Sequence, residues 1–226
     1  MNEFWLLFLD ELRHFSRTRF FVWVCVLVPL LTVSYPFIYF GDSDATIQMT
    51  SLLVNLCQIG CIIAGCNLIA SLVHDIDKRT FVPFLVRPVS VFSALVSRQA
   101  AMVASIFCII ALSIITAKAL LASFFSGAIT DNSFMYLSLV VLAQIVMSAG
   151  IGAILGVTQS SAATGMLAFI FLNNMVTMCL FFFSDTFLVA WLGGKLQGGL
   201  AMLFISIVAA AAISVPASKK LKEKVL

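Results

Sequence analysis

Six stretches of this sequence stay apolar for about as long as a helix needs to cross a bilayer core, roughly 20 residues. They cover 20–40, 47–73, 95–121, 134–157, 162–183 and 199–217. Lipid is the solvent such a chain requires: 62% of its residues are hydrophobic and 10% charged, with a mean hydropathy of +1.13, which leaves too little polarity for a water-facing surface. The spans read as helices, since a barrel strand would alternate apolar and polar residues and Val103 to Leu121 does not. The 21 phenylalanines are bulk facing lipid tails. Between the runs stand short loops, one polar segment and a basic tail, too little for a soluble core. The expected fold is an all-α membrane protein with one domain over 1–226: an interfacial helix at 1–19, six spans, a polar loop at 74–90 holding a short helix, and a basic tail at 218–226.

Basic residues give the direction of insertion, because cytoplasmic loops carry the excess of Lys and Arg. Arg13, Arg17 and Arg19 precede the first span, Lys78, Arg79, Arg87 and Arg98 lie between the second and third, and Lys219, Lys220, Lys222 and Lys224 follow the sixth. That sets eleven of the thirteen on one face. Lys118 and Lys195 fall on the other, with Asp42, Asp44, Asp131 and Asp185. Both termini are therefore expected in the cytoplasm. The net charge of +3 is a topological signal and gives no reason to expect a nucleic-acid partner.

The first apolar run begins only at Phe20 and is too long for a cleavable signal core, so the first span is expected to stay in the protein. Before it, Phe4, Phe8, Leu12 and Phe15 recur at helical spacing while Asp10, Arg13, His14 and Arg17 fall elsewhere around the turn, as in a helix lying on the membrane. Trp5 suits the headgroup level. The alternative is that this segment is the cytosolic start of the first span.

Chemical motifs are scarce. Cys25, Cys57, Cys61, Cys66, Cys108 and Cys179 all lie in apolar runs, where a thiol acts as a small hydrophobe, and no histidine or carboxylate adjoins Cys57, Cys61 and Cys66 to complete a metal set. Gly193-Gly194-Lys195 lacks the spacing of a phosphate-binding loop. Ser148, Gly152 and Gly156 repeat every fourth residue and predict a close helix–helix contact. His14 and His74 have no nucleophile arranged beside them, and no acidic residue lies deep in a span. The deep polar groups are Asn55, Gln58, Asn67, Gln144, Asn173, Asn174 and Thr177, which suit interhelical hydrogen bonds; Asn173 and Asn174 could instead line a pathway.

The segment from His74 to Ser90 is charged at its front, apolar in its middle and closed by Pro88. Thr80, followed by Phe81, Phe84 and Leu85, could cap a short helix whose apolar face meets either a partner or the membrane.

With these residues in view, the chain resembles the permease subunits of ABC-2-type exporters, and among them the haem exporter protein B family of cytochrome c maturation. The resemblance rests on Phe4-Trp5, Phe8, Glu11-Leu12-Arg13 and Arg17, on Asp75, Thr80, Pro88 and Arg98 around the loop, and on Gly156 to Gly165 with the turn Thr158-Gln159-Ser160-Ser161. Where that family has Asp-Gly-Ser-Leu this chain has Lys78-Arg79-Thr80-Phe81, and Asn173-Asn174 replace a proline-rich opening of span five. The resemblance implies a non-enzymatic membrane subunit in a bacterial or organellar inner membrane. A separate ABC ATPase would hydrolyse ATP and push on Asp75, Asp77, Arg79, Thr80, Phe81, Phe84, Leu85, Arg87 and Pro88. It further implies a second membrane subunit or second copy, no cofactor bound directly, and haem as cargo of the complex. A lipid, drug or peptide exporter, or a membrane assembly factor that transports nothing, are the alternatives.

Overall fold

The computed structural model describes residues 3–39, 45–78, 90–120 and 131–225. Within them the chain is helical: α1 (Glu3–Ser16), α2 (Arg19–Tyr39), α3 (Ala45–Asp77), α4 (Val91–Leu120), α5 (Asp131–Thr158), α6 (Ala162–Phe183), a π-helical turn (Ser184–Leu188), α7 (Val189–Leu192) and α8 (Lys195–Val225). No strand occurs among the described residues. Backbone groups in hydrocarbon must be satisfied within their own segment, which is why long apolar runs become helices. Five of these, α3, α4, α5, α6 and α8, are long and apolar enough to cross a membrane; α1 and α2, bent 70° apart, make a sixth if taken as one broken span. The protein is thus an all-α, multi-pass membrane bundle.

The break between α1 and α2 has a local cause. Thr18 stands outside both helices and its Oγ1 accepts the Phe21 N–H at 3.3 Å, the contact of an N-cap that starts a new helix. Ser90 does the same for α4, accepting the Ser93 N–H at 3.0 Å. Gly193, with φ +70°, turns α7 into α8, a left-handed conformation that glycine adopts without steric cost; this is what the Gly193-Gly194-Lys195 sequence does.

Neighbouring residues reveal the direction of each helix. A Cβ on Gly152 would lie 2.9 Å from the Gly65 backbone and one on Gly156 3.1 Å from Ile69 and Leu72, so α3 and α5 run parallel. A Cβ on Gly150 would meet Ala210, and one on Gly199 would meet Leu139, so α5 and α8 are parallel too. Helix α4 opposes α3, since Gly60 faces Ile110 and Asp75 faces Arg98. Helix α6 opposes it as well, with Phe169 against Gly65 and Gly165 against Ile69. Three parallel helices and two antiparallel ones follow from a chain that crosses and recrosses.

Helices α3, α5 and α8 all end at the same side, where α4 begins. Lys224 Nζ there donates to the Thr158 and Gln159 carbonyls, 3.4 and 3.3 Å away. Helix α1 sits at this side too, through Glu11 and Arg98, so both ends of the chain share it. It carries Arg13, Arg17, Lys78, Arg98 and Lys219, Lys220, Lys222 and Lys224 of α8, and is called the basic end below.

Two boundaries differ from those read in the sequence. Helix α3 continues through Asp77, so His74, Asp75 and Asp77 belong to a helix and not to a loop that starts at residue 74. Helix α8 continues through Val225, so residues 218–225 are a helical extension and not a separate tail. Both helices exceed 30 residues, or about 45 Å of rise against a hydrocarbon core of about 30 Å, and their polar ends lie beyond that core.

Candidate functional site at the basic end

Arg98 organises the basic end. It lies two turns into α4, and its Nε donates to Glu11 Oε1 of α1 at 3.0 Å while its Nη1 donates to Asp75 Oδ2 of α3 at 2.5 Å. The three side chains retain only 16%, 22% and 20% of their exposure. One guanidinium fork thus holds two carboxylates, a geometry suited to Arg and not to Lys. The site sits against apolar helices, where a lone carboxylate or guanidinium would be costly and each needs the others.

The cluster lines a cavity of about 380 Å³ between α1, α3 and α4, with His14, Asn67, Ser71 and His74 also on its walls. Asn67 Nδ2 reaches Met102 Sδ at 3.9 Å on the α4 side. Phe15 is buried beneath α1 and meets Phe21 edge-on at 5.3 Å, while Trp5, Leu6 and Leu9 are exposed on its other face. Helix α1 therefore packs one side against the bundle and exposes a mixed outer side, on which Asp10 and Arg13 are exposed beside the apolar residues. No three His, Cys, Asp or Glu side chains gather closely enough to hold a metal ion among the described residues.

Of the residues singled out as a partner surface, Asp75 lies within α3 and pairs with Arg98, which corrects its placement in a loop that starts at residue 74. Asp77 ends α3 and is exposed. Arg79, Thr80, Phe81, Phe84, Leu85, Arg87 and Pro88 lie outside the described residues, as does the short helix expected there. The described chain enters that loop at Lys78 and leaves it at Ser90, so the arginine cluster stands at its base.

Among the packing residues, Gly152 and Gly156 face α3 and Ser148 donates to Asn173 Oδ1 of α6 at 2.6 Å. Asn173 is buried but Asn174 is exposed, so the two adjacent amides point apart and do not line one pathway. Gln144 accepts from Cys57 Sγ, and Tyr136 and Ser184 hydroxyls lie 3.0 Å apart. Asn55 Nδ2 donates to the Ser51 carbonyl of its own helix at 2.8 Å.

Two groups escaped sequence reasoning. The triad of Glu11, Asp75 and Arg98 was visible only as separate charges. Gln99, buried beside it with Oε1 taking the Ser214 hydroxyl at 3.0 Å, was not noticed, although an adjacent Arg and Gln inside an apolar run is an unusual pair.

The arrangement is consistent with the general layout of ABC-2-type permeases, in having multiple spans and a polar loop between the second and third. No protein-family model matches this sequence, and no curated protein matches it either.

Proposed function

We propose that this chain is the membrane subunit of an ATP-driven exporter of the ABC-2 type, in which a separate ATPase pushes on the loop between α3 and α4. The observation that carries this reading is the Arg98 cluster: it ties α1, the end of α3 and the start of α4 into one unit around the base of that loop. A push on the loop would then reach three helices together, and rigid elements that move as a unit are how packed proteins transmit displacement. The cluster is a mechanical tether in this scheme and performs no chemistry.

The basic end is cytoplasmic in this proposal, and the membrane is a bacterial or organellar inner membrane. A second membrane subunit or second copy completes the pair opposite two ATPases. The resemblance to the haem exporter protein B family supplies the cargo, haem bound for cytochrome c maturation, and the chain would act more as a transmitter than as a conduit.

The test is affinity purification from native membranes, with mass spectrometry of the retained subunits and an absorption spectrum of the complex. Recovery of an ABC ATPase with a haem Soret band supports both levels of the proposal; an ATPase without haem keeps the exporter and removes the cargo. An interface with an apolar centre loses most when its anchor is truncated, so Phe84→Ala should lower ATPase recovery more than Arg87→Ala, whose charge would act mainly on association rate and salt dependence. Full ATPase recovery and stimulated turnover in a Phe81, Phe84 and Leu85 triple-alanine variant would remove the loop as the coupling element. Absence of any ATPase would favour an assembly factor.

A further inference from the structure

A second cavity of about 380 Å³ opens on the side of the bundle between α4, α5 and α8. Small side chains carve it: Ala100 and Ala104 of α4, Ala149 of α5, Ala210 and Ala211 of α8. It follows α4 from Val96 to Phe107, a rise of about 16 Å and so close to half the hydrocarbon thickness of about 30 Å. It begins near the basic end and stops about halfway along α4. An apolar cavity of this kind does not retain water. One extended hydrocarbon chain is slender enough to lie along it.

Its mouth is not apolar. Gln99 is on the cavity wall and only 7% exposed. The Ser214 hydroxyl is shared between its Oε1 and the Ala210 carbonyl, 3.0 and 2.7 Å away, and its Nε2 is buried with no hydrogen-bond partner among the described residues. A buried amide donor is rarely left without an acceptor, and a carbonyl at the head of an apolar chain would supply one. Farther toward the basic end, Ser218 and Lys222 continue the helical face of α8 that carries Ile207 and Ala211 at the cavity, at four- and seven-residue steps. Lys222 is exposed, and side chains on a helix lean toward its N-terminus, here back toward Ser214 and the cavity mouth. The order along this stripe is an apolar slot, an amide donor, then a cation.

We propose that this groove is a binding site for one anionic phospholipid of the leaflet at the basic end. An acyl chain lies between α4 and α8, its ester carbonyl accepts from Gln99 Nε2, and its phosphate meets Lys222. The site does not depend on the exporter reading, and it would stand if no ATPase were found.

The experiment uses the full chain in vesicles, with Trp5, Trp23 and Trp191 replaced by Phe and a single reporter introduced as Phe107→Trp at the inner end of the groove. Phosphatidylcholine vesicles receive the same minor fraction of brominated phosphatidylglycerol or brominated phosphatidylcholine, and quenching is compared. Brominated phosphatidylglycerol should quench more strongly. Lys222→Gln should reduce that preference about fivefold, the worth of one surface cation toward an anionic lipid. Gln99→Leu should weaken retention of the lipid about two- to tenfold, one net hydrogen bond, while Ser214 keeps its bond to the Ala210 carbonyl. Equal quenching by the two lipids would show ordinary boundary lipid and overturn the site, and protection from both would show that protein covers the groove. An undiminished preference in Lys222→Gln would overturn it as well, and that exposed substitution leaves the packing untouched should Gln99→Leu fail to fold.

Discussion

Gly152 and Gly65 meet across α5 and α3 with no room for a methyl group, since a Cβ on Gly152 would stand 2.9 Å from both the Gly65 Cα and its carbonyl oxygen. Backbone, unlike the tip of a flexible side chain, cannot move aside without displacing a whole helix. Gly152→Leu should therefore destabilise the bundle by about 1–3 kcal/mol, the usual scale of overpacking, read as a lower unfolding temperature in detergent. An unchanged temperature would mean that α3 and α5 are not held this close. The glycine stripe on α5 was legible because small residues every fourth position have few other uses in a membrane helix. Its partner was not: Gly65 has no such repeat around it, and what marks it is the Phe169 ring, which occupies the space of its absent side chain. Asn173 and Asn174 show the same limit. Two adjacent amides look like one feature in a sequence, yet a helix turns them about 100° apart, and only Asn173 faces the bundle.

Elements are joined at the basic end by charge as much as by packing. Arg98 is separated from Glu11 by 87 positions and from Asp75 by 23, so no local pattern could pair them, although each charge was readable and Arg98 was counted among the cytoplasmic residues. Removing the cation leaves two carboxylates facing each other in a partly buried site, and breaking such a cluster at one member costs more than neutralising all of it. Arg98→Met should therefore destabilise the protein by about 1–3 kcal/mol and raise hydrogen exchange in α1, which would still be held by Phe15. Neutralising the carboxylates as well, with Glu11→Gln and Asp75→Asn added, should recover part of the stability without restoring α1 protection. Unaltered exchange in the single variant would show that α1 is docked by its apolar face alone. The elements themselves were more legible than their ends. Hydropathy reports where the chain leaves lipid, whereas helical hydrogen bonding continues past that plane, which is why the apolar runs 47–73 and 199–217 stop short of α3 and α8.

At the scale of the whole molecule, charge and geometry point to one polarity by independent routes. The spans are apolar nearly all round, so sequence could not say which would touch, and the central place of α5, against α3, α6 and α8, emerged only from the structure. The charges did show which ends of the spans share a side. Helices α3, α5 and α8 finish where α1 and α4 begin, and that side collects the lysines and arginines, while α8 starts at Lys195 on the other. Lys and Arg are retained on the cytoplasmic side during insertion, which predicts that the basic end is inside. Cysteine labelling with a membrane-impermeant reagent, after replacement of the six native cysteines, tests this directly. Asp131→Cys at the start of α5 should label in intact cells. Ser90→Cys at the start of α4 should label only after permeabilisation, and Lys78→Cys should behave identically without disturbing the cap that Ser90 gives α4. Labelling of both basic-end positions in intact cells would invert the molecule. It would place the Arg98 cluster and its loop on the face where no ATPase has ATP to hydrolyse, and leave the helix bundle intact but the exporter reading without a motor.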